Sequence, residues 1–329
     1  MCFCRNISLS LFLLSVAVAS GQEKQHFFTV AWWNVENFFD TRNDTLTNDD
    51  DFTPDGEYHW TYRKFNAKRD GLYKTLLMMD FPDVVGLGEV ENAYVLRELC
   101  QGTPLREKHY AFVHYDSPDR RGIDVALLYR SDSFTVTASR PVSLSDSAAG
   151  YFTRDILLVE CVTPSGDTLC LLVNHWPSKR GGDEAEERRM QCAATVRRLM
   201  DSLFMAHPAA AVIAMGDMNA SAEEPPIAKG MGFGDLCRNA EGIRNLDCDL
   251  PSDWGSHKYQ GQWRYIDAMF LKAGNSWQTY PLQLVRFDHL LIQEQNAVGV
   301  RPKRTHRGPR YEGGLSDHLP LLLKIYRAK

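Results

Sequence analysis

Ala210-Ala211-Val212-Ile213-Ala214-Met215-Gly216-Asp217-Met218-Asn219 is an apolar run that stops on a carboxylate and an amide. So short a run of apolar residues reads as a buried strand. Asp83-Val84-Val85-Gly86-Leu87-Gly88 has the same build and stops at Glu89. Phe27 to Trp33 runs into Asn34 and Glu36, Thr168 to Asn174 into His175, and Ser316-Asp317-His318 precedes the run Leu319 to Ile325. Further strands are expected at 111–115, 125–129, 156–163 and 265–271. Helices are expected over 62–79, where Pro82 follows, over 94–100 and over 183–205. Residues 40–60 read as a loop, and a long Arg- and Gly-rich loop precedes the last strand. The polar motifs sit where strands end, so they can converge at one edge while the strands stay buried. Many strands and few helices argue for an α/β layered sheet core with helices outside.

The 329 residues are 44% hydrophobic and 24% charged, enough to build a full core. The formal net charge is -5. Proteins that grip duplex DNA by broad electrostatics are usually basic, so any nucleic-acid contact here should be local. Ile7 to Ala19 is apolar, follows Arg5 and leads into Ser20-Gly21. It is short of the ~20 residues a membrane span needs, and fits a secretory signal peptide. The expectation is a signal peptide over 1–21, one domain over 22–329, and a secreted or periplasmic, monomeric protein. No Cys follows the small residues, which argues against a lipid anchor there. No other segment could span a membrane. Cys100, Cys161, Cys170, Cys192, Cys237 and Cys248 remain after the signal, and none forms Cys-x-x-Cys. A two-residue turn at Ser165-Gly166 would set Cys161 opposite Cys170, and a disulfide is expected there.

Each polar residue is ordinary alone; the set is not. Glu89 offers oxygen to a hard divalent cation. Glu91 competes for that role but points to the other side of an extended backbone. Asn34 and Glu36, like Asp217 and Asn219, are two apart and can share a side. An Asp can take a proton from water, and an Asn can hold that water or a phosphate oxygen. A nearby Asp, such as Asp267 of Tyr265-Ile266-Asp267, would fix the ring of His318 and raise its basicity. His175 could protonate a leaving oxygen or bind phosphate. Asn174, Arg154 and Lys179 could add phosphate contacts, as could Arg301, Lys303, Arg304, Arg307 and Arg310, among which Arg307 is the expected contact.

The ordered series Trp-Asn-Val-Glu, Gly-Glu-Val-Glu-Asn, Asn-His-Trp-Pro, Gly-Asp-Met-Asn, Tyr-Ile-Asp and Ser-Asp-His resembles the endonuclease/exonuclease/phosphatase superfamily from about residue 27 onward. The resemblance implies a four-layer α/β sandwich of two packed mixed β-sheets flanked by helices. It implies Mg²⁺ or Mn²⁺ at Glu89, with Asn34, Glu36 and Asp317 near the metal. It implies Asp217 as the group that activates water, Asn219 as an orienting amide, and Asp267 paired with a phosphate-contacting His318. His175 looks like the second histidine of the deoxyribonuclease branch. Trp263-Arg264-Tyr265-Ile266-Asp267 departs from the Trp-Cys-Asp-Arg of the inositol-phosphate branch. The resulting expectation is a secreted nuclease. The alternatives are a phosphodiesterase acting on lipid headgroups or small molecules, and a binding protein without catalysis.

Overall fold

A computed structural model describes residues 27–295 and 298–328; the expected signal peptide lies outside them. The first eight strands are β1 (Phe27–Phe38), β2 (Val84–Val90), β3 (Tyr110–His114), β4 (Asp124–Arg130), β5 (Thr135–Val142), β6 (Ile156–Val162), β7 (Thr168–His175) and β8 (Ala211–Asp217). The longer of the later strands are Asp267–Ala273 and Leu321–Arg327. One sheet runs Trp277–Thr279, Leu321–Arg327, β1, β2, β4, β3, and the other runs β5, β6, β7, β8, Asp267–Ala273, Arg244–Asn245. Both are mixed: β1 pairs parallel with β2, and β7 with β8, while their other pairings are antiparallel.

The sheets pack face to face. Val30, Trp32, Val84 and Leu127 of the first meet Val159, Leu171, Met215 and Met269 of the second. Helices α1 (Tyr62–Met78) and α2 (Ala93–Gln101) cover the outer face of the first sheet through Phe65, Leu72, Leu76, Val95 and Leu99. Helix α3 (Gly182–Ala206) covers the second through Cys192, Val196 and Met200. The result is the expected four-layer sandwich. Strands buried on both faces read as unbroken apolar runs, which is why the central ones were visible in sequence.

Three expectations about the chain change. Strand β5 was not anticipated: it is an edge strand with most residues exposed or half-buried and no apolar run. The Arg- and Gly-rich stretch is not a single loop. Val300–Pro302 pairs with Leu291–Gln293, and His306–Arg307 with Arg310–Tyr311. The Cys161–Cys170 disulfide is also overturned. The hairpin closes between Thr163 and Asp167, so Cys161 faces Leu169 and Cys170 faces Glu160. That one-residue slip puts the two thiols on opposite faces of the sheet. Cys161 lies in the inter-sheet core, Cys170 lies beneath α3, and both are free.

Cys237 and Cys248 form the disulfide instead, 11 residues apart. Closing a loop of that size stabilises by about 3 kcal/mol in the chain-entropy model. The double variant Cys237→Ser/Cys248→Ser should lose stability of that order in urea unfolding. A reductant should lower wild-type stability toward the same value and leave the variant unchanged.

Candidate active site

Backbone irregularities present the acidic groups. The β1–β2 register runs Asn34↔Gly88 and then jumps to Phe38↔Val90; the β2–β4 register jumps from Gly88↔Val125 to Val90↔Asp124. Glu89 is therefore the bulged residue against β4, while against β1 the extra residues are Val35 to Asn37 on the partner strand, and such bulges re-aim side chains that regular pleating would fix. Glu36, Asn37, Glu89 and Asn219 all take positive φ, at 47°, 54°, 60° and 47°. Left-handed backbone at non-glycine residues costs energy and clusters at functional sites. Gly216 supplies room rather than flexibility: a Cβ there would lie 2.4 Å from the Asn174 carbonyl oxygen across the parallel pair.

The other motifs arrive on neighbouring strands. Asp267 sits directly opposite Asp217 in the antiparallel pair, and His175 beside Asp217 in the parallel one. Fully buried Asp267 accepts from Trp32 Nε1 at 2.7 Å and holds His318 Nδ1 at 2.6 Å. Ser316 Oγ donates to the Asn34 carbonyl at 2.6 Å and accepts from His318 N, tying the Ser-Asp-His turn to β1. The Asp217 carboxylate then becomes the hub. Its Oδ1 accepts from Asn219 N at 2.9 Å, and its Oδ2 accepts from Asn34 Nδ2 at 3.1 Å. That same Oδ2 lies 3.6 Å from His175 Nε2 and 3.8 Å from His318 Nε2. Glu89 adjoins this centre, with Oε1 3.9 Å from His175 Nε2 and 3.4 Å from Asn34 Nδ2, while Oε2 accepts from Asn37 N at 2.9 Å. Asp317 Oδ1 lies 3.8 Å from His318 Nε2.

The two histidines are electrostatic opposites. Burial alone would strip the proton from His318, but Asp267, Asp317 and Asp217 outweigh it and hold its pKa well above 6.5. Burial pushes His175 well below 6.5, with Arg154, Arg121 and His318 adding to the effect. The His175 ring is therefore neutral, and its buried Nδ1 has no partner among the described residues. Burial pushes the Asp217 carboxyl up to about 7, assisted by Asp267 and opposed by His318. Asp317 goes the other way: His318, His257 and Arg304 overcome its burial and hold it well below the carboxylate range.

Several placements depart from the expected roles. Glu36 is buried and accepts from Thr305 N at 2.8 Å, which makes it a tie between β1 and the 300–315 segment. Burial and Asp317 push it up to about 8, against Lys68 and Arg304. The Asn174 amide is spent inside the sheet: Nδ2 donates to the Leu172 and Met215 carbonyls, and Oδ1 accepts from Trp176 Nε1 at 3.4 Å. It is a structural residue, not a phosphate contact. Arg154 is buried against Asp119 at 2.8 Å and the Trp176 carbonyl at 2.8 Å, beside the site but not in it. Lys179 is paired with Glu224, and Arg307 is exposed on its hairpin. Glu91 turns away, as alternation required, and accepts from Asp40 N at 2.6 Å.

Two residues that the motifs did not flag do belong to the site. His257 bridges to His318 in the backbone, lies 3.6 Å from Asp317 Oδ2 and packs its ring 4.9 Å from that of His318. No neighbouring residue in sequence marks it. Lys68 is buried and donates to the Glu36 carbonyl and to Thr305 Oγ1. Its signal was available: it falls between Phe65 and Leu72 on the buried stripe of α1.

The atoms of Asp217, Asp267 and His318, and those of His257, Asp317 and His318, are gathered closely enough to hold a cation. Glu89 makes no direct ion pair with a lysine or arginine among the described residues, although buried Lys68 acts on it through space, and its histidine neighbour is neutral. A divalent cation fits a carboxylate so placed. Among the described residues no helix is long and apolar enough to cross a membrane.

No curated protein matches this chain. Solved structures do. An endonuclease/exonuclease/phosphatase from Bacteroides vulgatus superposes with TM-score 0.59 at 15% identity, covering 92% of this chain and 100% of that one. TDP2 of D. rerio, complexed with single strand DNA product, gives TM-score 0.57 at 18% identity, over 91% and 98%. A mannosyl-6-phosphatase of Bacteroides thetaiotaomicron gives 0.55 at 16%, over 91% and 99%. Likenesses at such identities establish the fold. The model of the Endonuclease/Exonuclease/phosphatase family matches residues 29–327, nearly all of the described chain and every motif above, and the chain belongs to that family.

Proposed function

We propose that this chain is an exported phosphodiesterase, dependent on Mg²⁺ or Mn²⁺, that hydrolyses nucleic acid. One observation carries the reading: a base, a fixed imidazolium and a cation-seeking carboxylate converge at one sheet edge. Asp217 Oδ2 is placed to take a proton from water. His318, held by Asp267 and kept protonated, is placed to donate from Nε2 to a phosphate oxygen as charge develops there. Neutral His175 can donate a hydrogen bond from Nε2 on the other side of Asp217. Glu89 and Asp317 would hold the metal as hard oxygen donors, and the metal would supply Lewis-acid neutralisation of the phosphate. Asn34, whose Oδ1 accepts from Glu36 N and whose Nδ2 faces Glu89 and Asp217, orients those carboxylates instead of ligating.

The family chemistry is phosphoester hydrolysis, and TDP2 with its single strand DNA product supports nucleic acid as the substrate class. The mannosyl-6-phosphatase shows that sugar phosphates must be tested too. The lipid alternative loses its main support. Trp60 is fully buried, and Trp254 and Trp263 stack on each other at 4.9 Å, half-buried against the core.

Single-stranded DNA, RNA, sphingomyelin and mannose 6-phosphate, assayed side by side, should show turnover of the nucleic acids. Turnover of only the lipid or the sugar phosphate would overturn the substrate assignment. Glu89→Gln should raise the metal concentration for half-maximal rate at least ~10-fold, since even outer-shell changes at metal sites cost that much. The same variant should lose the thermal stabilisation that added Mg²⁺ or Mn²⁺ gives the wild type. An undiminished metal-induced shift would place the metal elsewhere.

A further inference from the structure

Beside the catalytic centre lies a pocket of about 290 Å³, between the 151–154 segment and the start of α3. It is near the small end of ligand-sized pockets, which run ~300–1,000 Å³. Tyr151, Phe152, Arg154, Ser178, Arg180 and Arg188 line it. The catalytic motifs use none of Tyr151, Phe152, Ser178, Arg180 or Arg188. We propose that this pocket is a subsite for the nucleotide next to the scissile phosphodiester, with the arginines taking its phosphate and the aromatic rings its base. The proposal rests on the nucleic-acid reading and gives it a location.

Position comes first. The Trp176 carbonyl accepts from Asn219 Nδ2 at 2.9 Å on the catalytic side and from Arg154 Nη2 at 2.8 Å on the pocket side. The pocket therefore begins at Pro177, two residues after His175, and its Arg154 shares a hydrogen-bonded atom with the Asp217–Asn219 turn. A substrate seated at Asp217 must extend somewhere, and this is an adjoining cavity.

Charge comes second. Of the arginines in the lining, Arg154 is committed to Asp119 at 2.8 Å and Arg188 pairs with exposed Glu184 at 3.0 Å, a surface contact that a phosphate can displace. Arg180 is exposed and has no ion pair among the described residues. No side chain caps the first turn of α3, whose N-cap is Gly181, but Asp183 and Glu184 in that turn offset its dipole, so the pull on a phosphate comes from the arginines. Guanidinium matches phosphate with paired donors, where an ammonium offers a point charge. In a chain of net charge -5 such a local cluster is the contact the composition allows.

Shape comes third. Arg188 stacks on the Tyr151 ring at 3.5 Å, and Arg120 lies 5.6 Å from the ring centre of Phe152. Phe152 is exposed at 39% beyond its Arg120 contact, which leaves ring surface open to solvent. Aromatic and guanidinium faces together are the platform on which single-stranded bases stack without sequence preference.

The test compares two substrates on the purified protein: a single-stranded oligonucleotide, and bis(p-nitrophenyl) phosphate, which has one phosphate and no neighbouring nucleotide. The readout is the ratio of their kcat/KM values. Arg188→Glu should lower that ratio at least 10-fold, with Arg180→Ala and Phe152→Ala each lowering it by a smaller factor. Oligonucleotide binding in EDTA should also become less salt-dependent, by about 0.7 in the log–log slope for each phosphate that is no longer neutralised. These side chains are at the surface, and circular dichroism checks that each variant folds. A ratio within twofold of wild type and an unchanged salt slope would overturn the subsite while leaving the nuclease reading intact. A wild type that neither cleaves nor binds the oligonucleotide, yet hydrolyses the small diester, would overturn both.

Discussion

Asp217→Asn should cost at least ~100-fold in kcat/KM, the loss expected when one acid–base group is removed. The substitution keeps size and shape. An Asn Oδ1 can still accept from Asn219 N, so the Gly-Asp-Met-Asn turn should survive. The basic oxygen is lost. Asp217 is buried with its carboxyl pushed up to about 7, so its charged form is disfavoured at neutral pH. Two consequences carry a sign. As a base it must be deprotonated, so the wild-type rate should climb as pH rises through about 7, and the residual rate of the variant should lose that limb. As a buried carboxyl whose folded pKa is raised above 3.8, it costs stability as pH rises through the window from 3.8 to about 7. Asp217→Asn should therefore melt at or above the wild-type temperature at pH 8. A variant that is inactive because it is unfolded would not support the assignment; one that is folded and near fully active would remove Asp217 from the mechanism.

His318→Ala should also lose at least ~100-fold in rate, and it should destabilise as well. Its partner Asp267 is fully buried and its carboxylate would keep Trp32 Nε1 as its donor. Breaking a buried charge pair from one side costs about 3–5 kcal/mol, because the other charge is stranded. The double variant Asp267→Asn/His318→Ala strands nothing, so it should recover much of the stability and none of the activity. The pair is also pH-dependent. The folded pKa of His318 lies well above 6.5, so its stabilisation is complete below 6.5 and fades as pH rises through the folded value. The wild type should therefore lose its advantage over the double variant as pH rises above 6.5. Equal melting temperatures for the single and double variants would mean that the pair is not a buried ion pair.

The layers and most of the residues that converge at the candidate site were legible because both depend on local pattern. Apolar runs bounded by polar motifs gave β1, β2, β7 and β8, and the strand ends placed Glu89, His175 and Asp217. What was not legible depends on geometry that composition does not encode. Nothing in Gly88-Glu89-Val90 announces the bulge against β4, nor does Val35-Glu36-Asn37 announce the one in β1, yet together they aim Glu89. Asn174 and His175 are adjacent, so they point to opposite sides of the strand; one reaches the site, the other disappears into the sheet. The Cys161–Cys170 pairing failed because a turn longer by one residue reverses which faces meet. His257 and Lys68 reach the site only through long-range packing, although a lysine on an apolar helical stripe is a signal that can be read.

The central claim is that water, deprotonated at Asp217, attacks phosphorus. It is tested most directly by hydrolysing a defined oligonucleotide in ¹⁸O-labelled water and weighing the products. With Mg²⁺ or Mn²⁺ the account predicts one ¹⁸O in the terminal phosphate of the product. It predicts no reaction in EDTA and a rate at least ~100-fold lower with Asp217→Asn. Label in the sugar hydroxyl product, or labelled phosphate formed as fast by Asp217→Asn as by wild type, would contradict it.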